Sequence, residues 1–389
     1  MLFFLNRGDL VKIVFNKPYQ SKNESTYIQH VLELGKTGGD GFYTEQCQSW
    51  LEENLKSKKV LMTTSCTHAL ELVFQLLELK DFEVIMPSYT FPSTANAVLL
   101  NGGKVVFTEV NQEHLCIDVQ HIEEKITPKT KAILVVHYGG VSCDMDTIMA
   151  LANKYNLVVI EDAAQGFLSS YKNKSLGTIG HFGCFSFHET KNINCGEGGA
   201  LSINIDNPIL METVENIRRK GTNKYAFDKG EVFFYEWVSE GSSYSPSEIL
   251  MAYLYAQLKE SENIQEKRIN VFNLYQQWFT TTHYESIESF SRGNPFGNFN
   301  AHIFYVIFKQ EQQAIKFREQ LALENVVAYT HFIPLHLSKM GEELGNQRDD
   351  FPFEASVYKR LIRLPIHSMM DKETIEMIII KIDTILKRL

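Results

Sequence analysis

The chain of 389 residues is too long for one ordinary hydrophobic core, which predicts two domains. Its 44% hydrophobic and 22% charged residues are typical of a soluble globular protein. The net charge of -9 offers no basic surface for nucleic acid, so small anionic ligands would need local basic groups or backbone N–H donors.

The sequence carries no convincing signal for secretion or for a membrane. No run approaches the roughly 18–20 apolar residues that a membrane-spanning helix needs. The opening MLFFLNRGDL is apolar for only five residues and lacks the basic leader of a signal peptide. The six cysteines have no metal-type spacing. We therefore expect reduced thiols, no metal site and a cytoplasmic location.

From about residue 56, strand-like apolar runs alternate with helical segments. The strand-like runs are KVLMTT, EVIMP, KVVFTEV, KAILVVHY and LVVIED, and the helical segments are CTHALELVFQLLEL, STANAVLL and MDTIMALANKY. This alternation predicts βαβ units in an α/β fold with a mostly parallel sheet. Two later short runs, GCFSFH and GALSI, are separated by only about ten residues, which favours a mixed sheet.

The pattern changes after residue 205. Residues 206–219 are expected to be helical, and 220–245 form an aromatic loop region rich in glycine and serine. The following segment predicts one long helix with Pro246 in its first turn. The rest contains AHIFYVIF, VVAYTH and two helical stretches, which is typical of a small α+β domain. The expected parts are a large domain over 12–245, a linking helix over 246–282 and a small C-terminal domain over 283–389.

Four loops at the carboxyl ends of predicted strands are chemically unusual, and open parallel sheets bind ligands at such ends. In TTSCTHAL, hydroxyl groups precede a helix whose first N–H groups would attract a phosphate or carboxylate. Simple capping by Ser65 or Thr67 is the alternative. In PSYTFPST, Tyr89 or Phe91 would stack on a planar cofactor or pack in the core.

The other two loops carry charged groups. Glu161 and Asp162 end the apolar run LVVIED, where a buried carboxylate needs a metal, a cationic partner or a helix N-terminus. Lys191 follows GCFSFHE, five residues after Ser186. A lysine in a cleft loses proton affinity and becomes a nucleophile, whereas at an exposed edge it is an ordinary solvated side chain.

Together these loops meet the requirements of pyridoxal phosphate. The helix start would take the phosphate, the aromatic side chain would cover the ring, Asp162 would hold the pyridine nitrogen protonated, and Lys191 would bond to the cofactor. The order and spacing agree as well, with roughly 100 residues from the anion loop to Asp162 and about 30 more to Lys191.

The chain resembles the fold-type I, pyridoxal phosphate-dependent nucleotide-sugar aminotransferases from about residue 12 onward. The motifs that carry the resemblance are TGGDGFYT, PSYTFPSTANA, VHYGGVSCDMDTIMALA, EDAAQG, GTIGHFGCFSFHETKN, GEGGA, KGTNKY, GSSYSPSE and HFIPLH. FHETKN together with GSSYSPS is more specific than a general aminotransferase pattern. The resemblance implies a large domain built on a mostly parallel sheet and a small C-terminal α+β domain.

The resemblance also assigns roles to individual residues. Lys191 is implied as the catalytic residue bonded to the cofactor, and Asp162 as the partner of the pyridine nitrogen. The remaining cofactor positions are Gln165 near the phenolic oxygen, Phe91 on the ring, and Ser186, Cys66 and Thr67 around the phosphate. Many relatives have glycine in place of Cys66, a change that keeps the backbone N–H.

One loop departs from the family pattern. Where many relatives have YNYR, whose Asn and Arg reach the partner subunit's phosphate and the sugar nucleotide, this chain has SSYS, with Ser243 and Ser245 at those positions. Lys220 is a candidate to restore the lost charge. His331 and His336 of HFIPLH are expected to face the sugar nucleotide, although His336 is equally compatible with a structural role.

The implied reaction moves an amino group from L-glutamate to a dTDP-4-keto-6-deoxyhexose within a homodimer that shares its active sites. The expected substrate is dTDP-4-dehydro-6-deoxy-D-glucose and the product dTDP-4-amino-4,6-dideoxy-D-galactose, for a polysaccharide such as O-antigen or enterobacterial common antigen. The gluco isomer and a 3-amino sugar stay open, as does an inert nucleotide-sugar binder. A related dehydratase carries His in place of Lys191, and GTIGHFG lacks the glycine spacing of a dinucleotide-binding loop.

Overall fold

The computed structural model describes residues 12–389, so the MLFFLNRGDL segment and its prediction lie outside the described residues. The elements of the first part are α1 (Glu24–Leu34), α2 (Phe42–Leu55), β1 (Lys59–Thr63), α3 (Cys66–Leu77), β2 (Glu83–Pro87), α4 (Pro92–Leu100), β3 (Lys104–Thr108), β4 (Thr130–Val136), α5 (Met145–Tyr155), β5 (Val158–Asp162), β6 (Ser170–Tyr171), β7 (Lys174–Ser175), β8 (Phe182–Ser186), β9 (Gly199–Ile203), α6 (Pro208–Arg218) and α7 (Lys224–Asp228). Those of the second part are α8 (Glu248–Lys259), α9 (Ser261–Thr281), β10 (Ile287–Phe290), β11 (Phe304–Phe308), α10 (Glu311–Leu323), α11 (Lys339–Glu343), α12 (Pro352–Arg360), β12 (Leu361–Leu364) and α13 (Lys372–Leu386).

The main sheet has seven strands in the order β1-β9-β8-β5-β4-β2-β3. The five strands from β8 to β3 are parallel to their neighbours, whereas β9 is antiparallel to both β8 and β1. The expectation of a mostly parallel, mixed α/β sheet is confirmed. Because its two faces are covered by helices, the inner strands are apolar throughout; β4, for example, has only one residue that is not fully buried.

Helices α3 and α4 begin directly after the carboxyl ends of β1 and β2. Ser65 caps α3 by accepting a hydrogen bond from the N–H of His68. Pro92 occupies the first turn of α4, where its missing N–H costs no hydrogen bond. Both helices therefore direct their N-terminal ends toward the same edge of the sheet.

The predicted long helix over 246–282 is wrong in detail. The structure has two helices, α8 and α9, separated at Glu260, and Pro246 precedes α8, which begins after the cap residue Ser247. The two helices bury their apolar faces in different places. Met251 and Leu254 of α8 pack with α1 and α2, whereas Phe272 of α9 packs with the C-terminal sheet. One straight helix would not reach both cores.

The C-terminal part contains a three-stranded antiparallel sheet in the order β10-β11-β12. Four helices, α10 to α13, lie around it, rather than the two predicted helical stretches. The predicted run VVAYTH forms isolated bridges instead of a strand, with Val326 opposite Ile13 and Tyr329 opposite Arg363. Among the described residues, no helix is long and apolar enough to cross a membrane.

Candidate active site

A cavity of about 600 Å³ opens at the carboxyl edge of the main sheet, where the small C-terminal sheet faces it. Eight of the eleven residues predicted for the site line this cavity: Cys66, Thr67, Phe91, Asp162, Gln165, Ser186, Lys191 and His331. They come from five separate loops, so only the fold brings them together.

The start of α3 forms one wall of the cavity. Its cap uses the N–H of His68, at 3.1 Å from the Ser65 hydroxyl. Among the described residues, nothing accepts from the N–H groups of Cys66 and Thr67. The Thr67 hydroxyl bonds to the Ser93 hydroxyl at 2.9 Å. Ser186, at the end of β8, lines the same cavity. This corner therefore offers unused N–H and O–H donors, as an anion site requires.

Asp162 is a buried carboxylate at the floor of the cavity. It accepts hydrogen bonds from the Thr94 hydroxyl at 2.9 Å and from the N–H of Ala164 at 3.1 Å. Burial raises the pKa of Asp162, while these donors and the Lys191 ammonium act in the opposite direction. Each carboxylate oxygen keeps a free lone pair for a cationic ligand group.

Glu161, the other carboxylate singled out beside Asp162, points to the opposite face of the strand. Its carboxylate accepts N–H bonds from Gly177, Ile179 and Gly180 and bonds to His137 at 2.8 Å. These contacts fix the turn that leads into β8, which assigns Glu161 a structural role. The described residues contain no group of His, Cys, Asp or Glu arranged to hold a metal ion.

Lys191 projects into the cavity from a tight loop after β8. The N–H of Lys191 donates a hydrogen bond to the carbonyl of His188 at 2.8 Å, which closes the loop. The side chain of Asn192 fixes the loop further by bonding to the Asn300 carbonyl and to His302. Burial lowers the pKa of the Lys191 ammonium, Cys66 and Asp162 oppose this shift, and Arg363 adds to it. No carboxylate of the described residues forms an ion pair with this amine, so it is available to react.

Phe91 and Gln165 line the cavity as well. Phe91 occupies the N-cap position of α4, lines the cavity and leaves 57% of its surface exposed. The Gln165 carbonyl oxygen accepts from the N–H of Gly139 at 2.7 Å. This bond turns the amide N–H₂ of Gln165 into the cavity as a donor.

His331 forms a rim of the cavity together with residues that sequence reasoning missed. Its ring stacks on Phe332, with centroids 3.8 Å apart, and Nδ1 lies 2.5 Å from the Tyr138 hydroxyl. Burial lowers the pKa of His331 well below its ordinary value, and Arg363 contributes, so the imidazole is neutral. The sequence analysis missed Arg363, although an arginine inside the apolar run RLIRLP is a visible sign of a buried charge. It also missed Tyr138, which follows an ordinary strand end and carries no such sign.

Three predicted site residues lie outside the cavity of their own chain. Ser243 and Lys220 are exposed, on the segment where Arg219 pairs with Ser243 across an isolated bridge. His336 is only 1% exposed; its Nδ1 bonds to the Ser88 hydroxyl at 3.0 Å. The prediction that His336 faces a substrate is wrong for this cavity, because its ring is packed between Ser88 and Phe351.

The residues around the cavity fit pyridoxal phosphate. The start of α3 can approach the cavity closely because Gly199 has no side chain; a Cβ there would lie 2.3 Å from the Ser65 carbonyl carbon. The corner with free N–H and O–H donors suits a phosphate, and the exposed ring of Phe91 suits a flat heterocycle. Asp162 suits a protonated ring nitrogen, and Lys191 an aldehyde.

Comparison with known proteins agrees with this geometry. Residues 18–383 match the model of the DegT/DnrJ/EryC1/StrS aminotransferase family. The spore coat polysaccharide biosynthesis protein SpsC of Bacillus subtilis is 31% identical over 390 residues, covering 96% of this chain and 97% of SpsC.

Two solved structures share the fold. PseC of Helicobacter pylori, an aminotransferase involved in the biosynthesis of pseudoaminic acid, superposes with a TM-score of 0.87 at 25% identity, covering 97% of this chain and 100% of PseC. The PLP-form of Spr1654 from Streptococcus pneumoniae has a TM-score of 0.89 at 22% identity, covering 97% and 99% of the two chains. Since the family model spans nearly the whole chain, this protein belongs to the DegT/DnrJ/EryC1/StrS aminotransferase family and is an aminotransferase.

Proposed function

We propose that this aminotransferase transfers an amino group from L-glutamate to C4 of dTDP-4-dehydro-6-deoxy-D-glucose, giving dTDP-4-amino-4,6-dideoxy-D-galactose for a cell-surface polysaccharide. The observation that carries the proposal is the position of Lys191 and Asp162 in one cavity of about 600 Å³, within the range of small-molecule sites. The relatives named for spore coat polysaccharide and for pseudoaminic acid support a sugar as the amino acceptor.

The cofactor is pyridoxal phosphate, which supplies, when bound, an aldehyde that exchanges amines and a ring that withdraws electrons. The N–H groups of Cys66 and Thr67 and the Ser186 hydroxyl would hold its phosphate, and Phe91 would cover its ring. Asp162 would face the ring nitrogen, and the Thr94 hydroxyl and the Ala164 N–H stabilise its anion. The Gln165 amide would donate to its phenolic oxygen.

Lys191 acts as the base and then the acid. With the cofactor bound, the Lys191 amine would remove the proton from the donor carbon that carries the amino group, and the resulting ammonium would then serve as the acid. Burial lowers the pKa of the Lys191 ammonium, so the amine gives up its proton more readily than an exposed lysine does. Because one fixed lysine serves both substrates in turn, we expect ping-pong kinetics. His331, neutral and bonded to Tyr138, lies at the rim where the sugar enters.

We propose a homodimer in which Lys220 and Ser243 serve the partner's cavity. Both are exposed and lie outside their own cavity. The adjoining segment exposes apolar side chains that solvent does not favour, including Phe233 at 85% and Trp237 at 77%. Light scattering tests this directly. The double variant Phe233→Ser/Trp237→Ser is expected to have half the wild-type mass, and an unchanged mass would refute this interface.

We also propose a cytoplasmic location. All six cysteines are free and buried, as expected for a protein that folds in a reducing compartment.

The reaction is tested by incubating the enzyme with pyridoxal phosphate, L-glutamate and dTDP-4-dehydro-6-deoxy-D-glucose. The proton coupling at the aminated carbon of the product distinguishes the galacto from the gluco isomer and C4 from C3 amination. The galacto C4 amine is expected, and Lys191→Ala should form none while keeping its secondary structure. If glutamate changes the visible spectrum of the bound cofactor but no dTDP-keto sugar is aminated, the acceptor assignment is wrong. A protein that shows no cofactor spectrum at all would instead overturn the enzyme assignment.

A further inference from the structure

The cavity contains more positive than negative charge. Lys191, Arg268 and Arg363 line it, against the buried carboxylate of Asp162 and the exposed one of Glu197. Lys191 and Asp162 already have roles. The two arginines have no ion-pair partner among the described residues, and nothing in the chemistry so far uses them.

Arg268 is accounted for by the backbone. It is 3% exposed, and its guanidinium donates to the carbonyl of Ala301 at 3.2 Å and to that of His302 at 2.7 Å. These bonds fasten α9 to the segment that enters β11. Arg268 is therefore a structural link between the long helix and the small sheet.

Arg363 has spare donors. It lies in the middle of β12 opposite Tyr305, and both of its bonds, at 3.1 and 2.9 Å, go to the single carbonyl of Thr330. Phe15 covers one face of the guanidinium, with 5.0 Å between Cζ and the ring centroid. Three N–H groups remain without an acceptor in the described residues. A partly buried guanidinium with this geometry is built for a planar, bidentate anion.

The position of Arg363 indicates whether it binds the cofactor phosphate, the carboxylate of the amino donor or the diphosphate of the sugar nucleotide. The cofactor phosphate has its own donors on the main sheet at α3 and Ser186, whereas Arg363 belongs to the opposite, C-terminal sheet. Arg363 lines the same cavity as Lys191 and His331. In an amino acid, the α-carboxylate is attached directly to the reacting carbon. In a sugar nucleotide, the diphosphate is separated from C4 by the whole ring and the glycosidic oxygen.

We propose that Arg363 binds the α-carboxylate of the amino donor and thereby turns its α-hydrogen toward Lys191. The inference rests on the proposed aminotransferase function and names the part of the donor that the site recognises.

One consequence concerns donor choice. An amine without an α-carboxylate, such as 4-aminobutyrate, leaves Arg363 without its partner and is expected to be a poor donor. The sugar presents a ring carbon with a hydroxyl or methyl group in the same place, so its half of the reaction depends little on this charge.

The test compares Arg363→Gln and Arg363→Lys with Arg318→Gln, a control arginine that is exposed on α10 and outside the cavity. Calorimetry measures the affinity of the cofactor-loaded enzyme for glutarate, a dicarboxylate that cannot react. Rapid mixing measures the two half-reactions separately: L-glutamate with the loaded enzyme, and the keto sugar with enzyme charged with pyridoxamine phosphate.

We expect Arg363→Gln to weaken glutarate binding and slow the glutamate half-reaction by about 100-fold, the usual effect of removing one partner of a hydrogen-bonded charge pair. Arg363→Lys should lose about 10-fold, because it keeps the charge but not the fork. The sugar half-reaction should stay within about 3-fold, as should every measurement on Arg318→Gln.

Glutarate affinity within about 3-fold of wild type in Arg363→Gln would overturn the inference. So would a sugar half-reaction that falls as far as the glutamate one, since Arg363 would then serve the nucleotide. If wild-type enzyme performs neither half-reaction, the proposed function fails, yet the glutarate measurement still decides whether Arg363 is a carboxylate site.

Discussion

Gly199 allows α3 to approach the cavity, and replacing it tests the assignment of the anion site. Gly199 begins β9 and pairs with Thr63 on one side and Ser186 on the other. A Cβ added at Gly199 would lie 2.3 Å from the carbonyl carbon of Ser65 and 2.5 Å from the N of Cys66. Carbon atoms in good contact are roughly 3.5–4.0 Å apart, and both neighbours are backbone atoms that cannot rotate away. Gly199→Ala therefore has to displace the start of α3 by about 1 Å.

Two effects of Gly199→Ala are expected. Overpacking of this kind lowers the free energy of unfolding by about 1–3 kcal/mol. Displacing the N–H groups of Cys66 and Thr67 from a bound phosphate costs about 1.5–3 kcal/mol per charged hydrogen bond, which weakens cofactor binding by about 10- to 100-fold. Equilibrium dialysis against pyridoxal phosphate and urea unfolding measure the two quantities. Gly38→Ala, whose Cβ would meet nothing within 4 Å, is the matched control. Unchanged cofactor affinity in Gly199→Ala would show that the start of α3 does not hold the phosphate.

Two further predictions use buried titratable groups. Asp162→Asn removes the anion proposed to face the ring nitrogen, so kcat/KM should fall by about 100- to 1000-fold, the kinetic equivalent of roughly 3–4 kcal/mol. A loss below 10-fold in a variant with unchanged circular dichroism would contradict the assigned role. Burial lowers the pKa of His336 to about 4 from its ordinary value of 6.5, so its contribution to stability is complete above pH 6.5 and is lost as the pH falls toward 4. The loss is at most about 3 kcal/mol, and urea unfolding should show a flatter pH dependence for His336→Gln than for wild type.

Much of the main sheet was predictable because its signals are local. The run EVIMP gave β2 and GALSI gave β9 with the observed bounds, since a short apolar strand between polar turns needs no distant information. The break between α8 and α9 was not predictable in this way. It depends on which core each half of the segment enters, and the sequence around Glu260 contains no proline or glycine to mark it.

The same contrast holds for the site. Loops at the carboxyl ends of parallel strands meet at one edge, so the chain order of Cys66, Asp162 and Lys191 was enough to bring them together. Arg363 comes from the other sheet, and what directs it into the cavity is the pairing of β12 with the backbone at Tyr329. His336 shows the reverse error. It lies next to a cavity segment in sequence, but Ser88 and Phe351 enclose its ring.

The excess of positive charge in the cavity implies that the free energy of unfolding is lower in the ligand-free enzyme than in the enzyme with a bound anion. Arg363 keeps a partly buried charge without a counter-ion, which is unfavourable until an anion binds. Glutamine in its place can still donate to the Thr330 carbonyl but carries no charge. The melting temperature of cofactor-free Arg363→Gln should therefore equal or exceed that of Arg318→Gln. Glutarate at 100 times its dissociation constant should stabilise wild type by about 2.7 kcal/mol and Arg363→Gln hardly at all. A variant that melts several degrees lower and responds to glutarate as wild type does would show that Arg363 serves the fold rather than the donor.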